Sequence, residues 1–158
     1  MSLHALLKRQ MVAATLAVGA CAASAQNLVP NGDFETLDEP CLGLPSYLGE
    51  LNSWVIPSCA ATPPNYFNVC SGVNGFPQLS VPANIYGAQD AHSGNAYVGV
   101  ETYLWGDEND ARQYMTAQLS TPLTAGVEYC LTLQVSLCGR SSFASGAMGA
   151  LFTTSYPS

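Results

Sequence analysis

The sequence predicts an all-β fold, an antiparallel β-sandwich of the jelly-roll type, following a short N-terminal export signal. Three observations carry this. Apolar and polar residues alternate with period two over several stretches, best of all from Val127 to Cys138. Gly (14) and Pro (10) break the chain every few residues, which suits short strands and turns. No long stretch after residue 25 shows the 3.6-residue periodicity of an amphipathic helix.

The elements follow in chain order. Lys8 and Arg9 precede the weakly apolar run from Met11 to Ala22, and Ala23-Ser24-Ala25 then places small residues where a signal peptidase reads them. Residues 1–25 are therefore expected to be a signal peptide. A membrane-spanning helix needs about 20 apolar residues, and this run breaks into Ser and Gln too soon. A lipoprotein signal ending at Cys21 fits less well, because Gly19 stands at a position where it suits that signal poorly. The remaining 26–158 is one domain at most.

A short strand is expected around Asp33-Phe34-Glu35, a second over Leu51 to Ile56, and a third over Ala96 to Tyr103. The Pro- and Asn-rich stretch from Pro57 to Ala88 reads as a long loop region that disulfides could hold. Arg112 to Leu119 alternates with Met115, Ala117 and Leu119 inward, and Pro122 to Gly126 supplies a turn. In the next strand Val127, Tyr129, Leu131, Leu133, Val135 and Leu137 point one way, and Glu128, Cys130, Thr132, Gln134, Ser136 and Cys138 the other. These two strands are expected to be neighbours. A last strand covers Met148 to Thr153. About six strands result, where a jelly roll has eight, so the domain is expected to be incomplete at its C-terminus.

Charge and cysteines narrow the function. Beyond residue 25 the basic residues are Arg112 and Arg140, set against 11 acids. Such a surface disfavours nucleic acid and anionic lipid, whose phosphates are bound by Lys and Arg, and it suits divalent cations and neutral ligands better. Five cysteines remain there, Cys41, Cys59, Cys70, Cys130 and Cys138. An oxidising compartment should pair most of them, yet five is odd, so one thiol is free or pairs outside the chain. In a straight strand Cys130 and Cys138 would stand roughly 27 Å apart, too far to bond to each other.

Several short motifs carry a family likeness. The stretch Asn27-Leu28-Val29-Pro30-Asn31-Gly32-Asp33-Phe34-Glu35 resembles the opening of galactose-binding-like jelly-roll domains, a group that includes many carbohydrate-binding modules. The order of the later motifs is similar to the N-terminal domains of secreted bacterial surface proteins of the gliding or outer-membrane-associated kind. These motifs are Cys41, Trp54 to Pro57, Tyr66-Phe67-Asn68-Val69-Cys70, Ser93-Gly94-Asn95-Ala96-Tyr97-Val98-Gly99, and the alternating pair from Arg112 to Leu137. Cys59, Cys130 and Cys138 depart from that pattern. The resemblance implies a Cys41–Cys70 disulfide. It also implies a structural calcium held by Glu35, since related jelly rolls use an acid near the first strand.

Candidate ligand contacts are the aromatic residues, because the C–H faces of sugars suit a π-surface. The candidates are Tyr66, Tyr103 and Trp105, of which Trp105 precedes the polar turn Gly106 to Asp110 and is expected at a loop edge; Trp54 reads instead as core. Asp107-Glu108-Asn109-Asp110 lacks the spacing of an EF-hand and reads as a solvated tip. Catalysis finds little support. His92 is the sole histidine after residue 25 and sits in a Ser/Gly turn, no G-x-S-x-G elbow is present, and no C-x-x-C pair occurs. No carboxylate pair is marked out for glycoside hydrolysis.

The expected function is a non-catalytic, carbohydrate-binding-like or cell-surface adhesion module of a larger exported protein. Its location would be secreted or at the cell surface, with a glycan or surface polymer as partner and no transmembrane segment in the mature chain. The alternatives are a structural spacer domain and, less favoured, a small glycan-acting hydrolase.

Overall fold

The computed structural model describes residues 26–38, 51–58, 60, 62–73, 75–102, 112–146 and 148–157. The signal-peptide segment, Cys41, Cys59, Tyr103 and Trp105 lie outside them. The described residues form a β-rich arrangement with little helix: three small antiparallel pairs of strands, one short helix and one 3-10 turn.

The centre is a pair of four-residue strands, β2 (Asn65–Asn68) and β5 (Ala96–Gly99). Tyr66 stands opposite Val98, Phe67 opposite Tyr97, and Asn68 opposite Ala96. Successive side chains leave a strand on opposite faces, so this pair is a wall between two apolar clusters. On one side Tyr66, Leu51 and Ala96 are buried, with Phe34, Leu37, Trp54, Ile56, Val98 and Met115 packed around them. On the other, Phe67, Leu79 and Val81 are buried beneath Tyr86, Ala91 and Tyr97. Because both faces are covered, Tyr66 and Phe67 are buried in succession, and the strand shows no apolar–polar alternation. This is why the stretch from Pro57 to Ala88, expected to be an irregular loop, instead holds Tyr66, Phe67, Leu79 and Val81, four of the six buried hydrophobic residues among those described.

That stretch is locally well determined. Asn68 ends β2 and caps helix α1 (Val69–Val73): its Oδ1 accepts the backbone N–H of Ser71 at 2.9 Å. A 3-10 turn, Pro77–Leu79, follows, and then a hairpin of β3 (Ala83–Asn84) and β4 (Gly87–Ala88). Asn84 Oδ1 accepts the Tyr86 backbone N–H at 2.9 Å, an Asx turn that shapes the hairpin tip.

The third pair joins β1 (Trp54–Val55) to β6 (Thr116–Ala117). Met115 packs on the first cluster, in keeping with its expected inward direction. The partner of this stretch is β1, however, and not the alternating segment after Gly126. Residues 127–138 form no strand, and neither do residues 148–153. Asp33-Phe34-Glu35 is likewise a turn and bend, with Asn31 and Phe34 at positive φ (48° and 63°). An alternating sequence makes a strand only where a neighbour supplies backbone partners, and residues 128–137 make no backbone–backbone hydrogen bond among the described residues.

Candidate functional site

The motifs singled out by resemblance meet around the first cluster. Asn31 is their hub. Its Nδ2 donates to the carbonyls of Thr36 and Asn52, both at 2.9 Å, and its Oδ1 accepts the Thr36 N–H at 2.9 Å. The Trp54 indole N–H donates to Asn31 O at 2.9 Å, while the ring lies 5.4 Å from Phe34, tilted at 47°. Trp54 thus belongs to the packing of the N-terminal turn, as its sequence context suggests.

Tyr66 is also a core residue. It is 2 % exposed, and its hydroxyl donates to Phe34 O at 2.8 Å. With its ring enclosed and its hydroxyl engaged, it offers no face to a sugar, which corrects the ligand-contact expectation for this residue. Sequence reasoning missed this because a strand buried on both faces leaves no period-two signal.

Glu35 ties two motifs together. Its Oε1 accepts the backbone N–H of Asn95 at 2.7 Å, across 60 residues of chain. Gly94 beside it has φ +66°, and a Cβ there would collide with the Glu35 carboxylate. The carboxylate therefore closes the Ser93-Gly94-Asn95 turn onto the N-terminal motif. Oε1 is engaged by that N–H, and no group of three or more His, Cys, Asp or Glu that could hold a metal ion gathers among the described residues. Cys70 is disulfide-bonded, with its partner outside the described residues, whereas Cys130 and Cys138 are free thiols.

A polar cluster that the sequence did not reveal lies at the Asn65–Gly99 end of the central pair. The Tyr86 hydroxyl donates to Glu101 Oε1 at 2.9 Å and receives Asn65 Nδ2 at 3.1 Å. Gln113 Oε1 accepts the Glu101 backbone N–H at 2.7 Å, and Gln113 Nε2 reaches Thr62 Oγ1 at 3.3 Å. The Gln113 backbone N–H donates to Glu101 O at 3.2 Å, so the chain just after β5 is bonded to the stretch that leads into β6. Burial first, then the hydrogen bond and negative charge of Glu101, push the Tyr86 phenol up to about 12, with Asn65 pulling the other way. The phenol is thus a neutral donor at ordinary pH. The cluster presents a carboxylate, two amides, a phenol and a hydroxyl, which can exchange hydrogen bonds with a polyol. The signal for it was faint: Glu101 ends the Ala96–Val100 run as its first charged residue, and Tyr86 falls in the segment read as loop.

No protein-family model, curated protein or solved structure matches the chain. The arrangement must therefore be judged on its chemistry. His92 is exposed in a bend. An open groove of about 500 Å³ runs between the 3-10 turn and the hairpin, lined by Gln78, Ser80, Asn84, Ile85 and Arg140 among others. Arg140 Nη1 donates to Ile85 O there at 3.0 Å. Among the described residues no helix is long and apolar enough to cross a membrane.

Proposed function

We propose that the chain is a non-catalytic glycan-binding or adhesion module of an exported surface protein, built on a jelly-roll-like β-sandwich. The observation that carries this reading is the cluster of Thr62, Asn65, Tyr86, Glu101 and Gln113 at the end of the central strand pair. It sets neutral donors and one carboxylate within reach of each other, and Glu101 stands two residues before Tyr103 and four before Trp105 in the sequence. Polar groups to fix hydroxyls, next to aromatic rings to stack on a sugar face, are what a neutral saccharide requires. The acidic balance of the chain favours neutral over anionic glycans.

A spacer role is favoured by a different fact: the cluster's groups already bond one another, as a purely structural network would. Titration with a panel of neutral oligosaccharides, followed calorimetrically, separates the two. A module should bind at least one of them, and Trp105→Ala or Glu101→Gln should weaken that binding by about 1–3 kcal/mol with the melt retained. A spacer would bind none.

A further inference from the structure

The strictest alternation in the sequence lies in a segment whose interior makes no backbone–backbone hydrogen bond among the described residues. Val127, Tyr129, Leu131, Leu133, Val135 and Leu137 are all between 42 % and 68 % exposed. Residues 127–138 run without turn or bend, and among the described residues no backbone hydrogen bond involves residues 128–137. Its C-terminal end is anchored to the hairpin: Ser136 Oγ donates to Gln89 Oε1 at 2.7 Å, and the Arg140 N–H donates to Tyr86 O at 3.1 Å.

An uncovered row of N–H and C=O groups is a template for another strand, and exposed edges are ordinarily guarded by Lys, Pro or inward charge. Here the sole charge between Val127 and Cys138 is Glu128. From Thr121 to Pro157 the charges are Glu128 and Arg140, which cancel, whereas the chain as a whole carries −7. Two copies would repel over most of their surface and do so least across this face, which makes a second copy a fitting occupant. Phe143, Met148, Leu151, Phe152 and Tyr156 are also more than half exposed, so the apolar surface left open here continues beyond Arg140 in the chain.

We propose that residues 127–137 of two copies pair as antiparallel strands about a two-fold axis at Thr132. A one-residue slip would set apolar against polar faces throughout. Among the registers that keep the faces matched, this one alone gives every apolar residue an apolar partner. Val127 faces Leu137, Tyr129 faces Val135, and Leu131 faces Leu133 of the second copy. Glu128 then faces Ser136 and not its own equivalent, so no like charges meet. Such a contact is isologous and closes as a dimer. Cys130 faces Gln134, and the two Cys130 residues stand roughly 14 Å apart, beyond the reach of a disulfide.

This register is testable with the full chain. Sedimentation at micromolar concentration should give twice the monomer mass, and Thr132→Pro, which removes an N–H from the middle of the paired segment, should give a monomer that still melts cooperatively but has a weaker β signal in circular dichroism than the wild-type dimer. Under mild oxidation most of Gln134→Cys should run as a covalent dimer on a non-reducing gel, while the wild type and the Gln134→Cys/Cys130→Ser double variant should not. A monomeric wild type would overturn the proposal, including one whose 128–137 amides resist hydrogen exchange because another part of the same chain covers them. So would a Gln134→Cys variant that cross-links no better than the double variant.

Discussion

Glu35 and Gly94 show how a short motif works at the scale of single residues. The carboxylate receives the Asn95 N–H, and the absence of a side chain at Gly94 lets it approach. The resemblance to carbohydrate-binding jelly rolls gives this acid a calcium; the geometry gives it a backbone amide. The two roles separate in one experiment. Glu35→Ala should cost about 1 kcal/mol through the lost charge-assisted bond, and thermal melts should show the same loss with calcium and with chelator. A loss seen in calcium alone would return the metal to Glu35. Asn31 was legible as part of a motif, but its hub role was not, because its partners Thr36, Asn52 and Trp54 come from two separate segments.

At the scale of elements, the hairpin β3–β4 is joined to the central pair through side chains. Tyr86, at its tip, packs edge-on against Phe67, their centroids 5.8 Å apart, and hydrogen-bonds to Glu101. Its phenol is raised from the ordinary value of 10 to about 12, so the folded chain retains that proton longer than the unfolded chain does. The unfolded state then binds fewer protons between pH 10 and 12, and stability falls as pH rises through that window. Burial raises the Tyr97 phenol in the same direction. The melting temperature of the wild type should accordingly drop more steeply above pH 10 than that of Tyr86→Phe. Equal slopes would mean that Tyr86 is neither buried nor held against Glu101 in solution. The strands expected at Leu51 to Ile56 and Ala96 to Tyr103 are present in shortened form as β1 and β5, because pairing extends only as far as a neighbour does.

For the whole molecule, the order of the core decides where the chain is most stable. The central pair has a buried cluster on each side, while residues 121–157 are almost wholly exposed. Local opening free energies follow such burial. Amide hydrogen exchange should therefore be slowest for Tyr66 to Asn68 and Ala96 to Val98. Slower exchange in 148–153 would mean that the C-terminal region, and not the central pair, is the core.

Composition and local pattern by themselves determined the β class, the acidic character, the turns that punctuate the chain and the directions of Trp54 and Met115, since each depends on neighbours in sequence. Tertiary structure decided the rest. It made a two-faced strand of Asn65–Asn68, which lacks alternation because both its faces are buried, and it left the interior of the best alternating segment, 128–137, without a backbone hydrogen bond among the described residues. It also gathered Thr62, Asn65, Tyr86, Glu101 and Gln113 from four separate places in the chain. Period-two patterning reports a preference for one buried face. Which strand receives a neighbour, and therefore its hydrogen bonds, depends on residues far away in sequence.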